Sequence, residues 1–433
     1  MLTQGKRILT LTQNMLQLNP TKFNVVCCSL LVLSMARGFS KAVTSQQKPT
    51  DSLPSMNLLN TSFLEHFANL NDPRIERSKA HLLKDIIAIA ILAIISGADG
   101  WVAIEAYGNA KYEWLKSFLE LPNGIPSHDR FSRVFARIEP QQFQECFLSW
   151  VNAIVGELEL NVIAIDGKTM KQSYDRNDQQ KALHIVTAWS SSHQLVLGQK
   201  KVDKKSNELT AIPALIEMLE IAGSVITIDA MGCQKDITSL IVKKKGDYIL
   251  ALKGNQKLLY KAVKEWFEVA QKEEFLGREY SYYEQVEAGH HRGEKRQVWT
   301  VDVSELPPLH NQALWTGLKT VVMIVSERRL WNKTTTATRF YLSSLSSNAE
   351  KIALAIRSHW GIENSLHWTL DVTFREDESR IRKQNSPENF ALLRRLAINL
   401  LKQEKTSKQS LKMKRYRAGM DNNYLVQILN SAS

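Results

Sequence analysis

VIAIDGKTM (162–170) and VITIDAMGC (225–233) say nearly the same thing twice. Each is a β-branched run that ends in a lone Asp, with a Gly close behind it. The two aspartates, Asp166 and Asp229, stand 63 positions apart. Both runs have the alternation and length of central strands. Asp is depleted within strands, so each one marks a strand-to-loop edge, and in α/β sheets ligands bind at that edge. If the two strands are neighbours, the carboxylates meet at one rim, repel, and raise each other's pKa. A divalent cation between them removes that cost, and Mg²⁺ or Mn²⁺ prefers such oxygen ligands. Two ions ~3.5–4 Å apart can activate a water and stabilise a leaving oxygen in phosphodiester chemistry. Equally, each Asp can be a plain strand-end cap, and the two runs alone do not decide.

A third carboxylate sharpens the question. AIRSHWGIENSLHWTLD (355–371) reads as a helix with Glu363 flanked by His359 and His367, four residues away on either side. At ~100° per residue the three share one helix face. The preferred reading gives Glu363 to the metal ions and gives His359, His367 and Arg357 to DNA phosphates. A His-Glu-His transition-metal site is the less favoured alternative, because the strand carboxylates are hard ligands. DYILALKGNQ (247–256) ends a further strand in Lys253-Gly254-Asn255-Gln256. Lys253, Asn255 and Gln256 suit phosphate contact, with a turn and helix cap as the alternative. Lys168, just after Asp166, joins the same phosphate-facing set.

Around these motifs the order is α/β. Strands are expected at 162–166, 184–191, 194–202, 225–229 and 247–252, and helices near 210–222, 233–244 and 255–269. A β-rich insertion fills about 275–345, and a long helix follows at about 349–370. That makes a mixed sheet with helices. Residues 58–155 read as helical; in SHDRFSRVFARI (127–138), Arg130 and Arg133 lie on one side and could read DNA. The boundaries are a leader at 1–57, a helical DNA-binding domain at 58–155, a catalytic domain at 156–400 and a basic tail at 401–433.

The leader carries NVVCCSLLVLSMA (24–36), too short an apolar run to span a bilayer. We expect the native chain to start at Met56. DIIAIAILAIISGADG (85–100) reads as a buried core helix.

Charge points to a polyanion. The chain of 433 residues carries 56 Lys+Arg against 44 Asp+Glu, a net +12. Between Glu378 and Arg417 twelve basic residues, among them Arg380, Arg382 and Lys383, face three acidic ones. The amphipathic helix NFALLRRLAINLLK (389–402) within that stretch reads as a phosphate-facing surface. Cys27, Cys28, Cys146 and Cys233 form no CxxC pair, which excludes a zinc ribbon or disulfide scaffold and fits a reducing cytoplasm. No GxxxxGK[ST], GxSxG, HExxH or convincing GxGxxG is present, which leaves ATP, serine-hydrolase and nicotinamide chemistry without support.

Together these stretches resemble the H-repeat-associated proteins, insertion-sequence transposases of the DDE class. The resemblance rests on IAIDGKTM, VDKKSNELTAIPALI, VITIDAMGCQKDI, DYILALKGNQ, RSHWGIENSLHWTLDVTFRED and SPENFALLRRLAINLLK. FLEHFANLNDPRIERSKAHLL, SGADGWVAIEAYG and LPNGIPSHDRFSRVFARI extend it to the N-terminal part, so that it covers about 58–433. It implies an RNase H-like mixed-sheet core with a β-rich insertion, preceded by an α-helical domain. It also implies the triad Asp166, Asp229 and Glu363 holding two Mg²⁺ or Mn²⁺ ions, and cleavage at terminal inverted repeats with transfer to target DNA. A homodimer on double-stranded DNA, in the cytoplasm at the nucleoid, follows from the same resemblance. Two departures stand out. Relatives surround the Glu with Y-x2-R-x3-E-x6-K, where this chain has Ile356, His359 and Leu370. The family's Gly-His-Gly-Arg-Ile-Glu segment is altered here at His291 and Gly293. The rival readings are a nuclease that cuts without joining and a silent, DNA-binding relic of the element.

Overall fold

The computed structural model describes residues 62–155, 162–174, 181–203, 206–289 and 292–431. The expectations for the leader and Met56, and for His291, lie outside these residues. The described part belongs to one compact unit, Ser55–Ser433.

Five strands make the first half of the sheet: β1 Val162–Thr169, β2 His184–Ser190, β3 Leu195–Lys201, β4 Val225–Ile228 and β5 Asp247–Leu252. β2 pairs antiparallel with both β1 and β3, while β4 pairs parallel with both β1 and β5. All four residues of β4 are buried, as expected of a parallel strand covered on both faces. Four more strands follow: β6 Ser281–Gly289, β7 Arg292–Asp302, β8 Thr320–Leu330 and β9 Lys333–Ser343. β9 pairs antiparallel with β5, so the insertion continues the central sheet instead of standing apart. The order is β3-β2-β1-β4-β5-β9-β8-β7-β6. This is a mixed α/β core with a large mixed sheet and a helical N-terminal region, as expected. The expected strands match these bounds to within a few residues because each is a short apolar run closed by a turn.

Helices pack around the sheet. The N-terminal set is α1 Leu83–Ile95, α2 Trp101–Ala110, α3 His128–Arg137 and α4 Pro140–Val155. α5 Glu208–Met218, α6 Lys235–Lys243 and α7 Lys257–Lys272 follow the strands. Helix α8 Ala349–Gly361 runs through a π-helical turn, Ile362–His367, into α9 Trp368–Val372. The chain closes with α10 Ser386–Gln403, α11 Leu411–Met420 and α12 Asn422–Asn430. Helix α1 is apolar all round and buried from Asp85 to Ile95, which makes it a core helix. Among the described residues no helix is long and apolar enough to cross a membrane.

One expectation is corrected here. Helix α10 does not face phosphates: it is the central buried helix, in contact with α1, α3, α4 and β3. Its Arg394 and Arg395 are 1% and 0% exposed. They are turned inward because Glu376, itself fully buried, supplies the counter-charge at 3.9 and 3.0 Å. The segment read as a basic tail likewise folds onto the core, with Lys414, Arg415, Tyr424, Leu425, Ile428 and Leu429 buried.

Candidate active site

The parallel register sets Ile165 beside Ile228, which brings the following residues, Asp166 and Asp229, to adjacent positions at one sheet edge. Asp166 is still in β1; Asp229 is the first residue beyond β4. Asp229 Oδ1 accepts the N–H of Met231 and of Gly232, at 2.9 and 3.4 Å, which folds its loop back around the carboxylate. Burial pushes the Asp166 carboxyl up to about 7, and the charges of Asp229, Glu363 and Glu208 add to the push against the Gly167 N–H. Burial also raises Asp229, helped by Glu208 and opposed by Gly232, Met231 and Lys253.

Glu363 is exposed and comes from the π turn. A π turn carries an extra residue and is found disproportionately at functional sites. Glu363 lines one end of a cleft of about 550 Å³ between α8 and the insertion, with Arg296, Arg339, Tyr341, Arg357 and Trp360.

The two histidines of that helix do not sit at an open surface. His359 Nδ1 meets Thr227 Oγ1 of β4 at 3.0 Å, and burial lowers its pKa to about 4. His367 Nδ1 lies 3.6 Å from Asp166 Oδ2, and burial, with Arg395 and Lys168 nearby, lowers it to about 4 as well. Both are therefore neutral at pH 7, without the charge that a phosphate contact wants. They hold the Glu363 helix against β4 and β1.

Lys168 is 8% exposed. Its ammonium meets Asp371 at 2.7 Å, Asp377 at 3.0 Å and Glu376 at 4.0 Å, so it ties β1 to α9 and the segment after it and is not presented to solvent. Arg357 is bonded to Glu287 of β6 at 3.2 Å. Asn255 and Gln256 donate to the carbonyls of Ala230 and Cys233, at 2.6 and 2.9 Å, and so brace the Asp229 loop. Lys253 is exposed at the same rim. Arg380 and Lys383 are exposed, and Arg382 is stacked on Tyr174 at 5.1 Å. On α3, Arg133 is exposed and paired with Asp129 at 3.3 Å, while Arg130 is half-buried.

Glu208 and His184 were missed from sequence. Glu208 lies just outside the helix expected near 210–222, and its charge acts on both aspartates. A signal was present: an acid in the first turn of the helix that follows the β1-β2-β3 meander.

The catalytic-domain model "Transposase DDE domain" matches residues 157–400, and a DDE-transposase-associated model matches 64–151. The chain belongs to the DDE transposase family. Its relatives include YhhI of Escherichia coli K12, whose name ties it to the H repeat and, provisionally, to the transposases. YhhI is 43% identical over 371 residues, 84% of this chain and 97% of the relative. YbfL of the same strain matches to the same extent. YncI of Escherichia coli O157:H7 is 39% identical over 376 residues, 86% of this chain and 95% of the relative. A short relative at 39% identity over 74 residues is named an inactive transposase, YbfQ. Among solved structures, a piggyBac transposase synaptic complex with hairpin DNA aligns at TM-score 0.41 and 10% identity, over 86% of this chain and 79% of that one.

DDE transposase domains generally use divalent metals. Among the described residues no three His, Cys, Asp or Glu side chains are gathered closely enough to hold an ion as the chain is folded. The donor chemistry nevertheless fits one. Carboxylates crowded at a strand edge, with Asp166 raised to about 7, are what a hard cation would neutralise.

Proposed function

We propose that this transposase cleaves DNA at the ends of its own insertion sequence and joins those ends to a target. The observation that carries the reading is the register of β1 and β4, which sets Asp166 and Asp229 side by side. Glu363, whose charge acts on Asp166, is the third member. Asp166, Asp229 and Glu363 would hold the Mg²⁺ or Mn²⁺ ions. When bound, such ions activate a water or 3′-hydroxyl and stabilise the charge that builds on the phosphodiester.

The chain's own residues do the positioning. His359 and His367 fix the Glu363 helix against the strands that carry the aspartates. Asn255 and Gln256 hold the loop behind Asp229 in place. Such preorganisation supplies much of the rate in phosphoryl transfer. Lys253, Arg380, Arg382 and Lys383, together with Arg130 and Arg133, are the proposed contacts to DNA phosphates. Two ends must be joined, so a homodimer on double-stranded DNA at the nucleoid is the proposed working unit.

The test is nicking of plasmid DNA bearing the element's ends by the purified protein, with Mg²⁺, Mn²⁺ or EDTA. Nicking that needs the metal and is lost in Asp166→Asn supports the reading. DNA retained on a gel and never cut, by either protein, overturns it in favour of a silent binder.

A further inference from the structure

Three carboxylates are the family's expectation, and a fourth, Glu208, stands against the backbone of Gly167, the residue that follows Asp166. Glu208 opens α5, directly after Asn207, whose side chain caps the helix by accepting the N–H of Leu209 at 3.0 Å. From that turn its carboxylate reaches back over β1. Gly167, the residue after Asp166, makes the approach possible. A Cβ there would lie 2.0 Å from Glu208 Oε1 and 2.7 Å from His184 Nε2. No side chain fits at 167 while Glu208 stays where it is.

His184 then fixes the carboxylate. Its Nε2 lies 2.6 Å from Glu208 Oε1, and its Nδ1 lies 2.7 Å from Thr169 Oγ1. With Nε2–H donated to Glu208, Nδ1 accepts the Thr169 hydroxyl proton, so the ring has one orientation. A ligand carboxylate held in this way is what a metal site requires of its supporting residues. An ion pair that merely joined β2 to α5 would need no approach to the aspartates. This one sets a carboxylate oxygen against the backbone of Gly167, beside Asp166.

We propose that Glu208, held by His184 and admitted by Gly167, is a fourth carboxylate of the active site that helps to hold the divalent cation. This rests on the proposed function, since it concerns the same ion. Thr169, His184 and Glu208 form one chain of hydrogen bonds that positions the carboxylate.

The experiment is calorimetric titration of the full chain with Mn²⁺ in the absence of DNA, alongside the melting temperature without metal. Glu208→Gln keeps the shape and the His184 bond but removes the charge. It is expected to weaken Mn²⁺ binding on the order of 10–100-fold, with the metal-free melting temperature unchanged or higher. Gly167→Ala, which displaces Glu208, is expected to weaken binding similarly, and it keeps the question answerable if Glu208→Gln fails to fold. Mn²⁺ affinity within about twofold of wild type in the folded variants, while Asp166→Asn loses binding, overturns the role of Glu208 alone. Binding unchanged in Asp166→Asn as well overturns the metal-site reading and this inference with it.

Discussion

Asp229 commits one oxygen, Oδ1, to the N–H groups of Met231 and Gly232. That fixes the carboxylate's direction at no expense of its charge. Asp229→Asn keeps the size and an acceptor but deletes the charge, so strand cleavage is expected to fall on the order of a hundredfold or more, with retention of DNA on a gel unchanged. Full cleavage by the variant removes Asp229 from the site. Lys168 makes the opposite case. Three acids surround its buried ammonium, and Lys168→Met removes the charge they share, leaving Arg395 to Glu376 and Lys171 to Asp377. The variant should lose ~3–5 kcal/mol in urea unfolding, while its folded fraction keeps wild-type DNA affinity. Weakened DNA affinity at unchanged stability would mean that Lys168 does reach phosphate. The twin aspartates were legible because strand ends write themselves as β-branched runs followed by a polar residue and a Gly. Lys168 was not, because a basic residue beside a catalytic acid looks the same whether its partner is a phosphate or Asp371, a partner that lies about 200 positions away in the chain.

The element that decides the site is the π turn between α8 and α9. Periodicity showed a helix with His359, Glu363 and His367 on one face, and the structure does build one continuous helical rod there. The extra residue of the turn was invisible, because a π turn leaves no distinctive composition and depends on what the flanking helices pack against. α8 is anchored by Ile352, Ala355 and Ile356; the turn buries Ile362 and Leu366; α9 buries Thr369 and Leu370. Both halves can be satisfied only if the pitch is relaxed between them. Deleting Ser365 would take out the extra residue and let the helix run on at α-helical pitch, so that α9 keeps its seat while the widened turn that presents Glu363 is lost. Cleavage should fall more than ~10-fold, with a melting temperature lower by several degrees, measured by nicking and by circular dichroism. Unchanged activity would mean that the π turn has no part in placing Glu363.

At the scale of the whole molecule, the last two helices are held to the core by buried charge. Glu404, fully buried beyond the end of α10, accepts from Lys414 at 2.9 Å, from the N–H of Ser407 at 2.9 Å and from the Tyr424 hydroxyl at 2.9 Å, and it also bonds Thr406. Burial alone would raise its pKa, but these partners outweigh burial and hold it at about 2, against an ordinary 4.5. A carboxyl whose folded pKa is depressed contributes stability above its unfolded pKa, and that stability is lost as pH falls through the folded value. The window is therefore pH 4.5 down to about 2. A shift of this size corresponds to up to ~3 kcal/mol. Asp166 and Asp229 shift the other way, so the useful quantity is the difference between wild type and Glu404→Gln. Wild type should be the more stable at pH 7, and the gap should narrow by up to ~3 kcal/mol as the pH is lowered from 4.5 towards 2. Urea unfolding along that pH series measures it. A gap that stays constant would mean that Glu404 titrates alike in the folded and unfolded chain, and that α11 and α12 are held by Leu425, Ile428 and their apolar neighbours alone.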